Sequence, residues 1–152
     1  MLSYRHSFHA GNHADVLKHL VLVQLIDYLK QKDKPFWVID THAGAGLYAL
    51  DAGHATQLAE HEGGIARLWE RADLPPAVAA YVEAVRPLNP KGALTAYPGS
   101  PWIAFQRLRA DDRLRLFELH STDVATLADN FREAGRQVMV TNGDGLAGLK
   151  AL

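Results

Sequence analysis

The chain has 152 residues, and its 16 lysines and arginines nearly balance its 17 aspartates and glutamates, which leaves a formal net charge of −1. This length and an ordinary globular composition predict a folded domain with a core of its own, and they exclude a disordered or fibrous chain. The near-zero charge gives no global argument for nucleic-acid binding, and the absence of cysteine excludes a disulfide scaffold, a cysteine-ligated zinc site and a thiol nucleophile.

The N-terminal end is rich in histidine, since four of the eight histidines fall within the first 19 residues. This end has no apolar segment of the secretory type, and the apolar run 16–29 is shorter than the roughly 20 residues that cross a bilayer. We therefore expect a cytoplasmic protein in which the run forms a buried helix. Asn12 suits the N-cap of that helix, Asp15 stands in its first turn, and its end is expected near Lys32.

The remainder of the chain alternates between short strands and helices. Strands are predicted over 36–40, 114–119 and 138–140. Helices are predicted over 100–110, with Ser100 as the N-cap, over 122–134, and over 146–152. Residues 53–97 depart from this alternation and predict a helical insertion, with one helix opening at Pro75-Pro76. Short buried strands separated by helices predict an α/β fold, in which a parallel sheet of about three strands has helices on both faces.

A glycine turn follows the first predicted strand, in the sequence Asp40-Thr41-His42-Ala43-Gly44-Ala45-Gly46. Glycines let a backbone approach a ligand closely. The turn differs from the dinucleotide fingerprint because Ala49 stands where the third glycine belongs, and it lacks the Lys-Ser/Thr pair of a phosphate loop. This pattern suits a ligand without a phosphate at this point, such as S-adenosylmethionine. A tight turn with no ligand remains the alternative.

Two acids follow the next two strands. Glu118 can accept both hydroxyls of a ribose, and its distance from Gly46 exceeds the usual ~20 residues because the insertion lies between them. Asp144, between Gly143 and Gly145, can accept from an adenine amino group. The simpler alternatives are a solvated strand-end carboxylate for Glu118 and a helix N-cap for Asp144. Because the carboxyl ends of parallel strands meet at one edge of a sheet, the glycine turn and the two acids together favour a nucleoside cofactor.

The N-terminal arm, residues 4–19, combines cations with aromatic rings. Cations pair with phosphates and rings stack on unpaired bases, so the arm suits local RNA binding on a neutral protein. A metal site at His9 and His13 is a rival interpretation that lacks a third convergent ligand. A solvated basic arm is the other alternative.

Four segments carry a resemblance to a known family: Ser3 to His19, Asp40 to Gly46, Tyr97-Pro98-Gly99-Ser100-Pro101, and Glu118-Leu119-His120. Over its whole length the chain resembles the bacterial 23S ribosomal RNA adenine N6-methyltransferases of the J type. The resemblance implies a Rossmann-like class I fold and S-adenosylmethionine as the cofactor. It also implies methylation of the exocyclic N6 of one adenine in 23S ribosomal RNA. In the domain division that the resemblance implies, the arm is limited to residues 1–13, which is its meaning below. The cofactor-binding part is 14–52 and 98–152, and the insertion is 53–97.

The resemblance also implies which residues serve the site. Glu118 would take the ribose hydroxyls, Asp144 the adenine edge, and His42 with the glycine backbone the methionine portion. The residues expected to contact the cofactor are Lys18, His19, His42, Gly44, Gly46, Ser100, Glu118, Asp144 and Gly145. Those expected near the target base are Tyr4, Arg5 and His6. No metal and no membrane contact are expected.

One family feature is missing from this sequence. The family carries an Asp-Pro-Pro-Tyr motif after its fourth strand, and the only Pro-Pro here, Pro75-Pro76, lies in the insertion between Leu74 and Ala77. We therefore expect the chain to correspond to an N-terminal portion of a longer enzyme. It should be inactive alone and should self-associate through apolar surfaces left exposed. A DNA adenine N6-methyltransferase, a non-catalytic cofactor-binding module and a nicotinamide-dependent reductase remain as alternatives.

Overall fold

The computed structural model describes residues 6–51 and 58–151 of the chain. In chain order, the helices and strands used below are α1 (His13–Leu29), β1 (Trp37–Asp40), β2 (Leu47–Ala49), α2 (Ala66–Trp69), α3 (Pro76–Val85), β3 (Ala96–Pro98), α4 (Ser100–Arg107), β4 (Arg113–Glu118), α5 (Ser121–Asn130), β5 (Val138–Asn142) and α6 (Gly145–Lys150). Short 3-10 helices occur at His6–Phe8, Glu60–Gly63, Arg86–Leu88 and Arg132–Gln137. The chain forms two compact units, the first made of Met1–Leu25 and Tyr48–Pro98 and the second of Ile26–Leu47 and Gly99–Leu152.

Helix α1 begins as its sequence predicts. The Asn12 side-chain oxygen accepts from the Asp15 backbone N–H at 2.9 Å, which confirms Asn12 as the N-cap. Val23 lies on a buried face of the helix. Leu17 and Leu25, however, are 66% and 56% exposed, so the prediction of a buried helix is wrong for one face. An apolar run shows that a helix has a hydrophobic surface, but it does not show which part of that surface has a partner.

The first unit contains a pair of three-residue strands that the sequence did not predict. Strands β2 and β3 form a two-stranded sheet, and the Leu50 N–H donates to the Thr95 carbonyl at 2.8 Å. The buried Asn89 side chain fixes the approach to β3, because it accepts from the Thr95 and Ala96 N–H groups and donates to the Ala96 carbonyl. Tyr81 of α3 is completely buried.

The second unit contains a three-stranded parallel sheet with β4 at its centre, in the order β1-β4-β5. The register places Val38 of β1 opposite Leu114, and Leu116 opposite Val140 of β5. Leu114 and Leu116 are fully buried, as expected for a central strand. This sheet and its flanking helices confirm the predicted α/β fold class.

Helices cover the sheet through small and aromatic residues. Helix α4 contacts β1 and β4, α5 contacts β4 and β5, and α6 contacts β4. In α6, a Cβ on Gly148 would lie 2.2 Å from the Phe117 ring, so only glycine lets this helix approach the strand so closely. Beside α4, the rings of Phe105 and Phe131 meet edge to face at 5.5 Å.

Two predicted boundaries differ in the second unit. Ser100 is the first residue of α4 rather than its N-cap, since Gly99 occupies that position and makes no side-chain cap. The Ser100 hydroxyl instead donates to Asp40, as described below. Helix α5 ends at Asn130, and a 3-10 segment with Gly135 at φ +59° follows it. Within residues 6–51 and 58–151, no helix combines the length and the apolar character needed to span a membrane.

Candidate functional site

The loop after β1 forms the glycine turn predicted from the sequence. Gly44 and Gly46 have φ values of +64° and +82°, in the left-handed region that favours glycine. The Ala43 N–H donates to the Phe117 carbonyl at 3.0 Å, and the Gly46 carbonyl accepts from the Gly99 N–H at 2.8 Å. The turn is therefore anchored to the end of β4 on one side and to the start of α4 on the other.

Glu118 meets this loop directly. One carboxylate oxygen accepts from the Gly44 N–H at 2.8 Å, and the other accepts from the His120 N–H at 2.7 Å. A carboxylate oxygen has more than one lone pair, so each can still accept from a ligand hydroxyl. The structure thus brings together two residues that the sequence predicted as cofactor contacts, at the carboxyl ends of adjacent parallel strands.

Ser100, a third predicted cofactor residue, is held by the end of β1. Its hydroxyl donates to one Asp40 carboxylate oxygen at 2.6 Å, while the other oxygen of Asp40 accepts from the His42 N–H at 3.1 Å. Asp40 begins the glycine-turn motif, but it was not predicted as a site residue. Its position as the last residue of strand β1, directly before the glycine turn, was the signal available.

Asp144 and Gly145 stand at the start of α6. One Asp144 oxygen accepts from the Leu146 and Ala147 N–H groups at 2.8 and 3.1 Å, so the residue is a helix N-cap. These backbone hydrogen bonds hold the pKa of the Asp144 carboxyl below its usual value, so it is ionised at neutral pH. A Cβ on Gly145 would lie 2.2 Å from the Thr41 carbonyl oxygen, so the start of α6 presses against the loop after β1.

The side chains around this loop are mostly hydrogen-bond acceptors. Asp40, Glu118 and Asp144 carry carboxylates, and exposed His42 contacts the Thr41 hydroxyl at 2.9 Å through Nδ1. Acceptors of this kind match the hydroxyl and amino groups of a nucleoside. They would repel a phosphate, which needs positive charge or several free N–H groups.

In the first unit, three groups converge on the carboxylate of Asp15. The side chain is buried, with 0% exposure. It accepts from His6 Nε2 at 2.8 Å and from the Gly11 N–H at 3.0 Å, and it pairs with Lys18 Nζ at 2.9 Å. Burial raises the pKa of Asp15, but the hydrogen bond and charge of His6, with His19 and Lys18, bring it well below its ordinary value.

His19 lies one turn along α1 from Asp15 and is also buried. Its Nδ1 is 2.8 Å from the hydroxyl of Tyr97, which is in turn 2.8 Å from the hydroxyl of Tyr81. Burial lowers the pKa of His19 to about 4, against the opposing charge of Asp15. His19 is therefore neutral at physiological pH. The sequence did not predict either tyrosine as a partner, because 78 residues separate His19 from Tyr97.

The arm is held by the 60–65 segment of the first unit. Glu60 accepts from the Asn12 side chain at 2.9 Å and lies 3.0 Å from His9 Nδ1. The Ile65 N–H donates to the Gly11 carbonyl at 2.9 Å, and a Cβ on Gly64 would lie 2.0 Å from that same oxygen.

The predicted cofactor residues are divided between the two units. Lys18 and His19 belong to the first unit, whereas the other predicted cofactor residues belong to the second. Tyr4 and Arg5 lie outside the described residues. In the part of the chain that the structure describes, no three His, Cys, Asp or Glu side chains are grouped to hold a metal ion.

Comparison with known proteins confirms the resemblance noted in the sequence. A family model described as "Ribosomal RNA large subunit methyltransferase D, RlmJ" matches residues 33–152. The chain is 52% identical over 151 residues to Ribosomal RNA large subunit methyltransferase J of Escherichia coli K12, and 47% identical over 152 residues to the Haemophilus influenzae protein of the same name. Each match covers 99% of this chain and 54% of the relative, so the chain spans about half the length of these curated relatives.

A solved structure agrees with these matches. The crystal structure of a protein from Legionella pneumophila is 39% identical, with a TM-score of 0.85, and the match covers 94% of this chain and 52% of that one. By sequence and by structure, the chain belongs to the RlmJ family of ribosomal RNA large subunit methyltransferases.

Proposed function

We propose that this chain is the cofactor-binding part of a cytoplasmic, S-adenosylmethionine-dependent enzyme that methylates the N6 atom of an adenine in 23S ribosomal RNA. The observation that carries the proposal is the contact between Glu118 and the glycine loop. This contact sets a carboxylate against the loop that carries the two left-handed glycines. The acid-capped start of α6 presses on the same loop through Gly145. The names of the relatives support the ribosomal RNA substrate.

The chemistry of the second unit fits S-adenosylmethionine better than a dinucleotide. Glu118 would accept the two ribose hydroxyls while its backbone donors keep the carboxylate in place. Asp144 would accept from the adenine amino group, and Ser100, His42 and the glycine backbone would line the methionine portion. S-adenosylmethionine supplies a methyl group on a positively charged sulfur, and the carboxylates of the second unit favour that charge.

The arm supplies the RNA-binding part of the proposal. The target adenine must leave its stack before its amino group can be methylated, and an enzyme compensates for the lost stacking with ring contacts. Tyr4, Arg5 and His6 are the arm residues that we assign to the target base. Lys18 is expected from the resemblance near the cofactor, but its side chain is 60% exposed, and in this proposal it offers a cation for the RNA backbone phosphates.

We also propose that this chain does not transfer a methyl group by itself. Methylation of an exocyclic amine needs an acceptor for the amino hydrogens, and the family uses an Asp-Pro-Pro-Tyr motif for this purpose. The 152 residues do not contain that tetrapeptide. Methyl transfer to unmodified 23S ribosomal RNA by the chain alone, measured with a radiolabelled methyl donor, would contradict this part of the proposal.

Calorimetry with S-adenosylmethionine tests the cofactor assignment. We expect saturable binding by the wild-type chain and a ten- to hundredfold weaker affinity for Glu118→Gln, since a hydrogen bond to a charged acceptor contributes roughly 1.5–3 kcal/mol. Glu83→Gln is the matched control, because Glu83 forms an exposed ion pair with Arg86 in the first unit. Binding of a nicotinamide dinucleotide in place of S-adenosylmethionine would instead support a reductase.

A further inference from the structure

We propose that Asp15 is a positioning residue for RNA binding, because its buried carboxylate fixes the His6 ring of the arm and the Lys18 ammonium of α1 relative to each other. This inference rests on the proposed ribosomal RNA substrate and adds a residue that does not itself touch RNA. From the sequence alone, Asp15 had no role beyond its place in the first helical turn.

The Asp15 carboxylate makes contacts on both of its oxygens. One oxygen accepts from His6 Nε2 at 2.8 Å and from the Gly11 N–H at 3.0 Å, and the other lies 2.9 Å from Lys18 Nζ. The carboxylate is therefore shared between the arm, the residue that leads into α1, and α1 itself. A single side chain thus connects the segment assigned to the target base with a cation assigned to the phosphates.

The three side chains that meet at Asp15 differ in their exposure to solvent. Asp15 has 0% exposure, while the Lys18 side chain is 60% exposed and the His6 side chain 20% exposed. A buried carboxylate is costly unless it is paired and hydrogen-bonded, so the fold strongly favours keeping His6 and Lys18 on it. The carboxylate is hidden from solvent, whereas most of the Lys18 side chain is exposed and only its Nζ is drawn to Asp15, at 2.9 Å. A solvent-exposed lysine beside a buried carboxylate can still meet an anionic ligand.

The His6 ring is oriented by a second contact. It meets the Tyr48 ring edge to face, with centroids 5.2 Å apart. The imidazole therefore has one edge on Asp15 and a ring contact with Tyr48. A ring held in this way needs less ordering when a base or phosphate binds, and preorganisation of this kind increases affinity.

Binding of a short RNA distinguishes positioning from simple charge. The test uses a single-stranded, adenine-containing 12-mer and fluorescence anisotropy over a range of salt concentrations. If Asp15 acted only through its charge, Asp15→Asn would bind RNA more tightly, because a negative charge has been removed. We expect the opposite, namely that Asp15→Asn binds the RNA about tenfold more weakly. The slope of the logarithm of the association constant against the logarithm of the salt concentration should also be smaller in magnitude, by about 0.7 for each phosphate that is no longer neutralised.

Three further variants complete the design. Glu83→Gln removes an exposed carboxylate of the first unit and should leave RNA affinity unchanged or slightly higher. Lys18→Met should weaken binding, and adding Asp15→Asn to it should cost less than Asp15→Asn alone, because the two residues act through the same contact. Lys18→Arg retains the cation and should retain most of the affinity.

Hydrogen exchange without RNA guards against a general loss of folding. We expect Asp15→Asn to accelerate amide exchange over residues 6–12 and to leave α3 unchanged, and His6→Gln should loosen the same segment without altering the buried position. A wild-type chain that does not bind the RNA would refute the proposed substrate. A wild-type chain that binds it, together with Asp15→Asn that binds equally or more tightly, would overturn the role of Asp15.

Discussion

Protonation of His19 should destabilise this protein between pH 6.5 and pH 4. Burial lowers the pKa of His19 from 6.5 to about 4. Between these values the unfolded chain binds a proton that the folded chain does not, so stability is full above pH 6.5 and falls as the pH drops toward 4. From pH 7.5 to pH 5 the loss works out to about 2 kcal/mol, at 1.36 kcal/mol for each pKa unit.

Urea denaturation of the wild type and of His19→Asn, at pH 7.5 and pH 5, measures this effect. Asparagine can keep a polar atom near the Tyr97 hydroxyl but does not titrate. The variant will be less stable overall. Its free energy of unfolding, however, should fall by about 2 kcal/mol less than that of the wild type between pH 7.5 and pH 5. Asp15 does not interfere, because the pKa of its carboxyl is lowered, so its stabilising contribution is lost only well below pH 5.

The comparison has a clear negative outcome. If the wild type and His19→Asn lose the same stability between pH 7.5 and pH 5, then His19 takes up its proton in the folded chain as readily as in the unfolded one. The assignment of a buried, neutral His19 imidazole beside the Tyr97 hydroxyl would then be wrong.

Three further predictions concern the start of α6 and the exposed face of α1. Gly145→Ala should destabilise the chain by about 2–4 kcal/mol in urea, because its Cβ would meet the Thr41 carbonyl, whereas Gly63→Ala, with open space around it, should not. Asp144→Ala should lower stability by about 1 kcal/mol through loss of the N-cap, as thermal melting would show, and Asp144→Asn should retain most of it. Leu17→Lys should weaken self-association in sedimentation velocity, while a wild type that stays monomeric at high concentration would contradict the expected association.

Local patterns were sufficient for much of the fold. The strand cores around Val38, Leu116 and Val140 were predicted because bulky apolar residues stand between turn residues, and such signals depend on a few neighbours only. The N-cap of α1 was predicted for the same reason, since Asn12 acts on a donor three residues away. Family membership followed from the long arm sequence and the glycine turn.

Contacts between distant parts of the chain could not be predicted in this way. The local pattern predicts Ser100 as an N-cap, which is a common use of serine before a helix, but its hydroxyl donates to Asp40, 60 residues earlier. The pairing of β2 with β3 joins two three-residue segments too short to show a period. The partners of His19 and Asp15 likewise depend on tertiary structure rather than on spacing.

The close approach of Gly64 to Gly11 limits how this protein can be shortened. Surface insertions can often be lengthened or shortened at small entropic cost. The helical insertion 53–97 would therefore be an attractive target for deletion in a minimal enzyme. Here the 60–65 segment donates the Ile65 N–H to the Gly11 carbonyl and packs backbone against backbone beside the start of α1. Deleting the segment would remove the backbone that packs against the histidine-rich arm at Gly11, so a minimal version has to keep it.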